Sequence, residues 1–185
     1  GGFSAFRADI TDLCKEGNNE MTIEVSNEDT PSMYPASADF TFYGGLYRGV
    51  NLISVPHTHF DLDYYGGSGI KVTPKPTEDG GATFEIESFV TNQEDCFTVM
   101  YSIEDACGCE VASAVRPADD TAVTIYVPDA KLWSMDEPNL YTVVARLQKN
   151  NETYDEIHVN TGVRSYSVTP DGGFSINNKA VSLRG

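Results

Sequence analysis

Leu132-Trp133-Ser134-Met135-Asp136-Glu137-Pro138-Asn139-Leu140-Tyr141 decides how this chain is read. It holds the only tryptophan of the sequence and separates two strand-like runs. Ser134, Asp136, Pro138 and Asn139 are turn formers, so the stretch is a connection rather than a strand. Leu132 and Trp133 are too apolar for an open loop and are expected to plug the end of a β-sandwich. Tyr141 stands where a tyrosine corner would, at the start of the following strand, with its hydroxyl bonding back to the preceding backbone.

Outward from this stretch, short β-prone runs recur. They are Ile70–Thr73, Ala82–Thr91, Phe97–Glu104, Glu110–Val115, Thr121–Val127, Leu140–Gln148 and Thr153–Gly162. Their number, spacing and alternation are those of an immunoglobulin-like sandwich. Its expected core is Phe84, Ile86, Phe89, Val99, Ile103, Ile125, Val127, Trp133, Tyr141, Val143 and Leu147. Gly66-Gly67-Ser68-Gly69 is a flexible junction and the expected domain boundary. A hairpin is expected at the end: Gly173–Ile176, a turn at Asn177-Asn178, then Ala180–Leu183.

Before the junction, Met21–Ser26 alternates as a half-buried strand does, residues 27–38 form a loop, and Val50–Val55 reads as a strand. Between the last two lies Asp39-Phe40-Thr41-Phe42-Tyr43-Gly44-Gly45-Leu46-Tyr47-Arg48. Gly-Gly permits backbone angles that other residues avoid. An acid beside aromatic rings is also a way to hold a sugar, with rings on its C–H face and a carboxylate on a hydroxyl. The cluster Asp39, Phe40, Phe42, Tyr43 and Tyr47 is therefore either aromatic core with an exposed acid or part of a sugar-contacting lip.

The formal charge of −16 over 185 residues argues against nucleic acid and anionic membrane surfaces as partners, since both repel it. No run approaches the ~20 apolar residues of a membrane helix. Gly1 and Gly2 lead into Phe3-Ser4-Ala5-Phe6 with neither Met nor a signal-peptide pattern, and Val181–Gly185 stops inside an apolar pattern, so both ends are expected to be those of an excised fragment. Cys14, Cys96, Cys107 and Cys109 match no small disulfide scaffold and are expected to be free thiols, which places the protein in the cytoplasm.

His57-x-His59-x-Asp61-x-Asp63 puts four metal-compatible side chains on one face of a strand. A straight strand also spreads them, so a solvated polar face is the ordinary reading. Glu85 and Glu87 share a face in the same way, whereas glycosidase carboxylates normally flank a cleft from separate elements. No nucleophile elbow, P-loop or dinucleotide fingerprint is present.

Several of these stretches together resemble glycoside hydrolase family 2. Gly1–Phe6 with Asp9-Ile10-Thr11, Gly17-Asn18-Asn19 before Met21–Val25, and Gly44–Val50 resemble its sugar-binding jelly roll. Leu132-Trp133, Pro138–Tyr141 and Thr161-Gly162-Val163-Arg164 resemble its immunoglobulin-like domain, and Gly173–Lys179 with Leu183-Arg184-Gly185 the lead-in to its (β/α)8 barrel. The resemblance implies an all-β chain. Residues 1–65 would be the end of the jelly roll, 66–165 the sandwich, and 166–185 a hairpin connecting to a missing barrel. It implies a parent that hydrolyses β-linked sugars with retention, foremost a β-galactosidase, with β-glucuronidase and β-mannosidase as alternatives. The catalytic glutamates would lie in the barrel, so the chain alone is expected to be inactive. Asp39 stands six residues before Gly45, the spacing of a family aspartate that touches sugar and a nearby sodium ion. Gly49 and Thr41 depart from the pattern, where Asp and Trp are common. No cofactor is expected in this chain, and magnesium and sodium are expected in the parent's barrel. The partner is a β-galactoside or related carbohydrate, and the parent is expected to be a homo-oligomer. A free-standing carbohydrate-binding or adhesion module is the competing reading.

Overall fold

The computed structural model describes residues 5–28, 43–94 and 96–182. The chain divides into two compact units, Gly1–Ser54 and Val55–Gly185.

The second unit is all β. Its strands are β1 (His59–Phe60), β2 (Ile70–Pro76), β3 (Ala82–Ser88), β4 (Val90–Thr91), β5 (Thr98–Glu104), β6 (Glu110–Pro117), β7 (Ala122–Val127), β8 (Tyr141–Lys149), β9 (Glu152–Thr161), β10 (Tyr166–Thr169), β11 (Gly173–Ile176) and β12 (Lys179–Ala180). A three-stranded sheet β2-β3-β7 faces a four-stranded sheet β6-β5-β8-β9, all antiparallel. This is the sandwich expected from the sequence, and its seven strands coincide with the predicted runs to within a few residues at either end.

Alternation explains the core. In β3, Ala82, Phe84, Ile86 and Ser88 turn inward and Thr83, Glu85 and Glu87 outward. Phe84 and Ile86 meet Val99, Tyr101 and Ile103 of β5 and Val143, Ala145 and Leu147 of β8 in one buried cluster. Each large apolar side chain removed from water there contributes about 1.5–3 kcal/mol before entropy. Ser88 is also buried, and its hydroxyl shares a 2.7 Å hydrogen bond with that of Tyr101 in the cluster, so neither buried oxygen lacks a partner. Burial pushes the Tyr101 phenol above its usual range, partly offset by Ser88. Phe89 and Trp133, expected in the core, are only half buried: Phe89 stacks on Tyr64 at 4.4 Å, and Trp133 caps one end.

Phe60 joins this core although it precedes the glycine-rich junction. Its side chain is 1% exposed and its N–H donates to Asp155 Oδ2 of β9 at 2.9 Å. β1 pairs with β4, and Asp61 N–H continues the contact to Phe89 O at 2.8 Å. The unit therefore begins upstream of Gly66, which sits inside a tied-down turn. The alternation predicted over His57–Tyr65 gives a ladder only at His59–Phe60, because Asp61 Oδ1 accepts the Asp63 N–H and turns the chain.

After the sandwich, β10-β11-β12 form a small antiparallel sheet. The β11–β12 turn lies at Asn177-Asn178, both with left-handed φ (49° and 62°), as the hairpin reading predicts. β10 adds a strand that the sequence reading left out.

In the first unit, the described residues hold a 3-10 turn at Thr11–Leu13 and no strand. The strands predicted at Met21–Ser26 and Val50–Val55 are absent there. Leu46, Tyr47, Val50, Leu52 and Ile53 keep half or more of their surface exposed. A strand needs a neighbour for its N–H and C=O groups, and the described residues of this unit offer none.

Candidate functional site

The end of the sandwich is closed by the Trp133 segment. Trp133 N–H donates to Val163 O at 2.8 Å, and Trp133 O accepts from Asn177 Nδ2 at 2.9 Å. Asn177 also bonds both ways to Ser165: its Oδ1 accepts the Ser165 N–H at 3.0 Å and its N–H donates to Ser165 O at 2.9 Å. The Arg164 guanidinium lies 4.7 Å from the Trp133 ring centre, a cation–π contact. Tyr141 makes the predicted corner, its hydroxyl accepting the Lys131 N–H at 2.9 Å. These contacts tie the terminal three-stranded sheet to the sandwich. Asn177 was visible in the sequence only as a turn residue, and nothing there showed that its side chain would reach Trp133.

Beside this latch lies a cavity of about 640 Å³ whose walls include Leu132, Met135, Ile176, Lys179, Asp136 and Glu137. Apolar walls with charges of both signs suit docking better than chemistry. No pair of its residues forms a nucleophile and base within hydrogen-bond reach.

The predicted site residues stand as follows. Asp39, Phe40 and Phe42 lie outside the described residues. Tyr43 and Tyr47 are exposed, and Gly45 adopts a left-handed φ of 96°, as a tight turn requires. His57, His59, Asp61 and Asp63 are not brought together as metal ligands. His59 Nδ1 is turned back on Pro56 O and His57 O (2.9 and 3.1 Å), Asp61 caps its own turn, and among the described residues no group of three or more His, Cys, Asp or Glu could hold a metal. Glu85 and Glu87 point outward and pair with Lys75 and Lys71 across the sheet. The four cysteines are free and exposed.

The shifted carboxylates are structural. Asp79, in the β2–β3 hairpin, accepts from the Thr77 hydroxyl, the Tyr126 hydroxyl (2.7 Å) and the Gly81 N–H, which together hold it at about 2. Glu156 lies below its usual range through His158 first and Arg146 as well, on the outer face of the four-stranded sheet. Glu110 is lowered by the Ser102 and Ser113 hydroxyls.

The two facing sheets and the end closed by Trp133 make up an immunoglobulin-like sandwich. The family described as Glycosyl hydrolases family 2 matches residues 68–164, the span of the sandwich. The chain belongs to that family. The crystal structure of an FMN-binding β-glucuronidase from Facaelibacterium prausnitzii L2-6 is 83% identical with a TM-score of 0.93, covering 97% of this chain and 28% of that one. A β-glucuronidase of Bacteroides fragilis is 27% identical over all of this chain and 28% of its own length. A β-galactosidase of Thermoanaerobacter pseudethanolicus is 28% identical over all of this chain and 25% of its own length. The chain thus spans about a quarter of the length of these relatives. The cavity beside Trp133 does not fit the flavin of the first relative. It has no aromatic wall for the ring system, and its two lysines are matched by Asp136 and Glu137 where a phosphate would need net positive charge.

Proposed function

We propose that this chain is the non-catalytic, sandwich-bearing part of a retaining glycosidase that removes terminal β-linked sugars, with β-glucuronides preferred to β-galactosides. The 83% identity across 97% of the chain with a β-glucuronidase carries the reading, and the β-galactosidase relative supports the wider class. A retaining enzyme needs two carboxyl groups about 5–5.5 Å apart, one as acid/base and one as nucleophile. We assign these to a (β/α)8 barrel elsewhere in the longer protein, with magnesium and sodium beside it. The sandwich is then a rigid spacer, residues 1–54 belong to a jelly roll, and Asp39 contacts the sugar from its lip.

The test compares the longer protein with this 185-residue chain on nitrophenyl β-glucuronide and β-galactoside. The longer protein should favour the glucuronide and release product with retained configuration, while the chain alone turns over neither. Hydrolysis by the chain alone, or inversion by the longer protein, defeats the proposal. Losing a hydrogen bond to a charged group costs about 1.5–3 kcal/mol, so Asp39→Ala in the longer protein should lower kcat/KM roughly 10- to 150-fold. Unchanged kcat/KM would remove Asp39 from the site.

A further inference from the structure

The hairpin between β5 and β6 carries Asp105-Ala106-Cys107-Gly108-Cys109 at its tip. Gly108 N–H donates to Asp105 O and Asp105 N–H to Cys109 O, both at 2.9 Å. With Gly108 at φ 78°, this is a type I turn closed by a glycine bulge. The Asp105 carboxylate fastens it from one side, its Oδ1 accepting the N–H of Cys107 at 2.8 Å and of Cys109 at 3.0 Å. Four hydrogen bonds therefore fix the backbone that presents the two thiols. Both cysteines are exposed, and neither belongs to the core cluster. Two residues span at most about 7 Å, so the two thiols leave the backbone within that distance of each other, short enough for rotation about their side-chain bonds to bring both to one ligand.

We propose that Cys107 and Cys109 form a two-thiolate chelate for a soft, thiophilic metal or metalloid centre. Thiolates select soft ions over the hard cations that take oxygen. A structural zinc site takes four protein ligands, and among the described residues no third His, Cys, Asp or Glu completes a set with these two. That leaves centres satisfied by two sulfurs. Cys96 is no substitute for either thiol: it precedes β5, at the far end of that strand, roughly 20 Å away at the usual rise per residue.

Phenylarsine oxide probes this geometry. The two S–H bonds and the As–O bond are exchanged for two As–S bonds, the oxygen leaves with both protons as water, and arsenic stays trivalent. Binding through a second, tethered thiol gains roughly 10²–10⁴-fold over one thiol. The intact chain and a Cys14→Ser/Cys96→Ser variant should therefore each take up one arsenical by mass spectrometry, with the loss of one water. Cys107→Ser and Cys109→Ser should need about 10²–10⁴-fold more reagent for half-saturation. Their melting curves should match the parent, since the tip buries neither side chain. Equal uptake by either single variant, or loss of the adduct from the Cys14→Ser/Cys96→Ser variant, overturns the chelate. The outcome is independent of the glycosidase reading, because the assay uses no sugar and only this chain.

Discussion

Replacing Gly162 by alanine tests how tightly the Trp133 latch is built. Gly162 is buried just after β9, and a Cβ placed on it would sit 2.7 Å from Trp133 Cβ, 2.8 Å from Cγ and 2.9 Å from Cδ1. These atoms cannot swing away as the end of a flexible chain could. Cβ is fixed to a backbone held through Val163 O and Asn177 Nδ2, and the ring is covered by Arg164. The added methyl must therefore shift backbone on one side, an overpacking that costs about 1–3 kcal/mol. At roughly 3–5 °C per kcal/mol for a unit of this size, the melting temperature should fall by about 3–15 °C. Trp133 is the only tryptophan, so its fluorescence reports the site directly, and its emission should shift in the folded variant as the ring is displaced. Gly49→Ala is the control, since a Cβ there meets nothing within 4 Å. A Gly162→Ala protein with unchanged melting temperature and unchanged emission would refute the close approach and the latch built on it.

Phe60→Ala should destabilise the chain by about 3–5 kcal/mol in urea unfolding, because Phe60 is buried in the sandwich core; a surface-like change below about 0.5 kcal/mol would return it to the first unit. Tyr141→Phe should cost about 0.5–1.5 kcal/mol through loss of the bond from Lys131 N–H, and an unchanged urea midpoint would count against the corner. Asp79 has its folded pKa depressed to about 2 from 3.8, so its stabilisation is present above pH about 4 and is lost as pH falls through about 2. Asp79→Asn should therefore flatten the decline of the thermal midpoint over that window, and a decline of the same slope in both proteins would exclude this linkage.

Much of the fold was legible because it rests on local periodicity. The inward positions of β3, β5, β7 and β8 can be read from alternation alone, as can the turns that separate them. Trp133 and Tyr141 were legible for another reason: an isolated tryptophan in a polar connection and a tyrosine opening a strand have few places to go in a sandwich. The alternating stretch His57–Tyr65 misled, because the same pattern fits a long strand and a two-residue bridge followed by an aspartate-capped turn. Val50–Val55 misled because strand propensity forms no ladder without a neighbouring strand.

By itself, then, the sequence determined that the chain is β, where its sandwich strands run, and which of their faces are buried. These properties depend on residues one or two positions apart. Only the tertiary structure decided that Phe60 belongs to the sandwich, that Gly162 must be small to admit Trp133, and that Asn177 fastens the last hairpin to it. Those facts depend on partners far along the chain, such as Asp155 for Phe60 and Trp133 for Asn177. No local pattern records which distant atoms will meet once the two sheets have closed on their core.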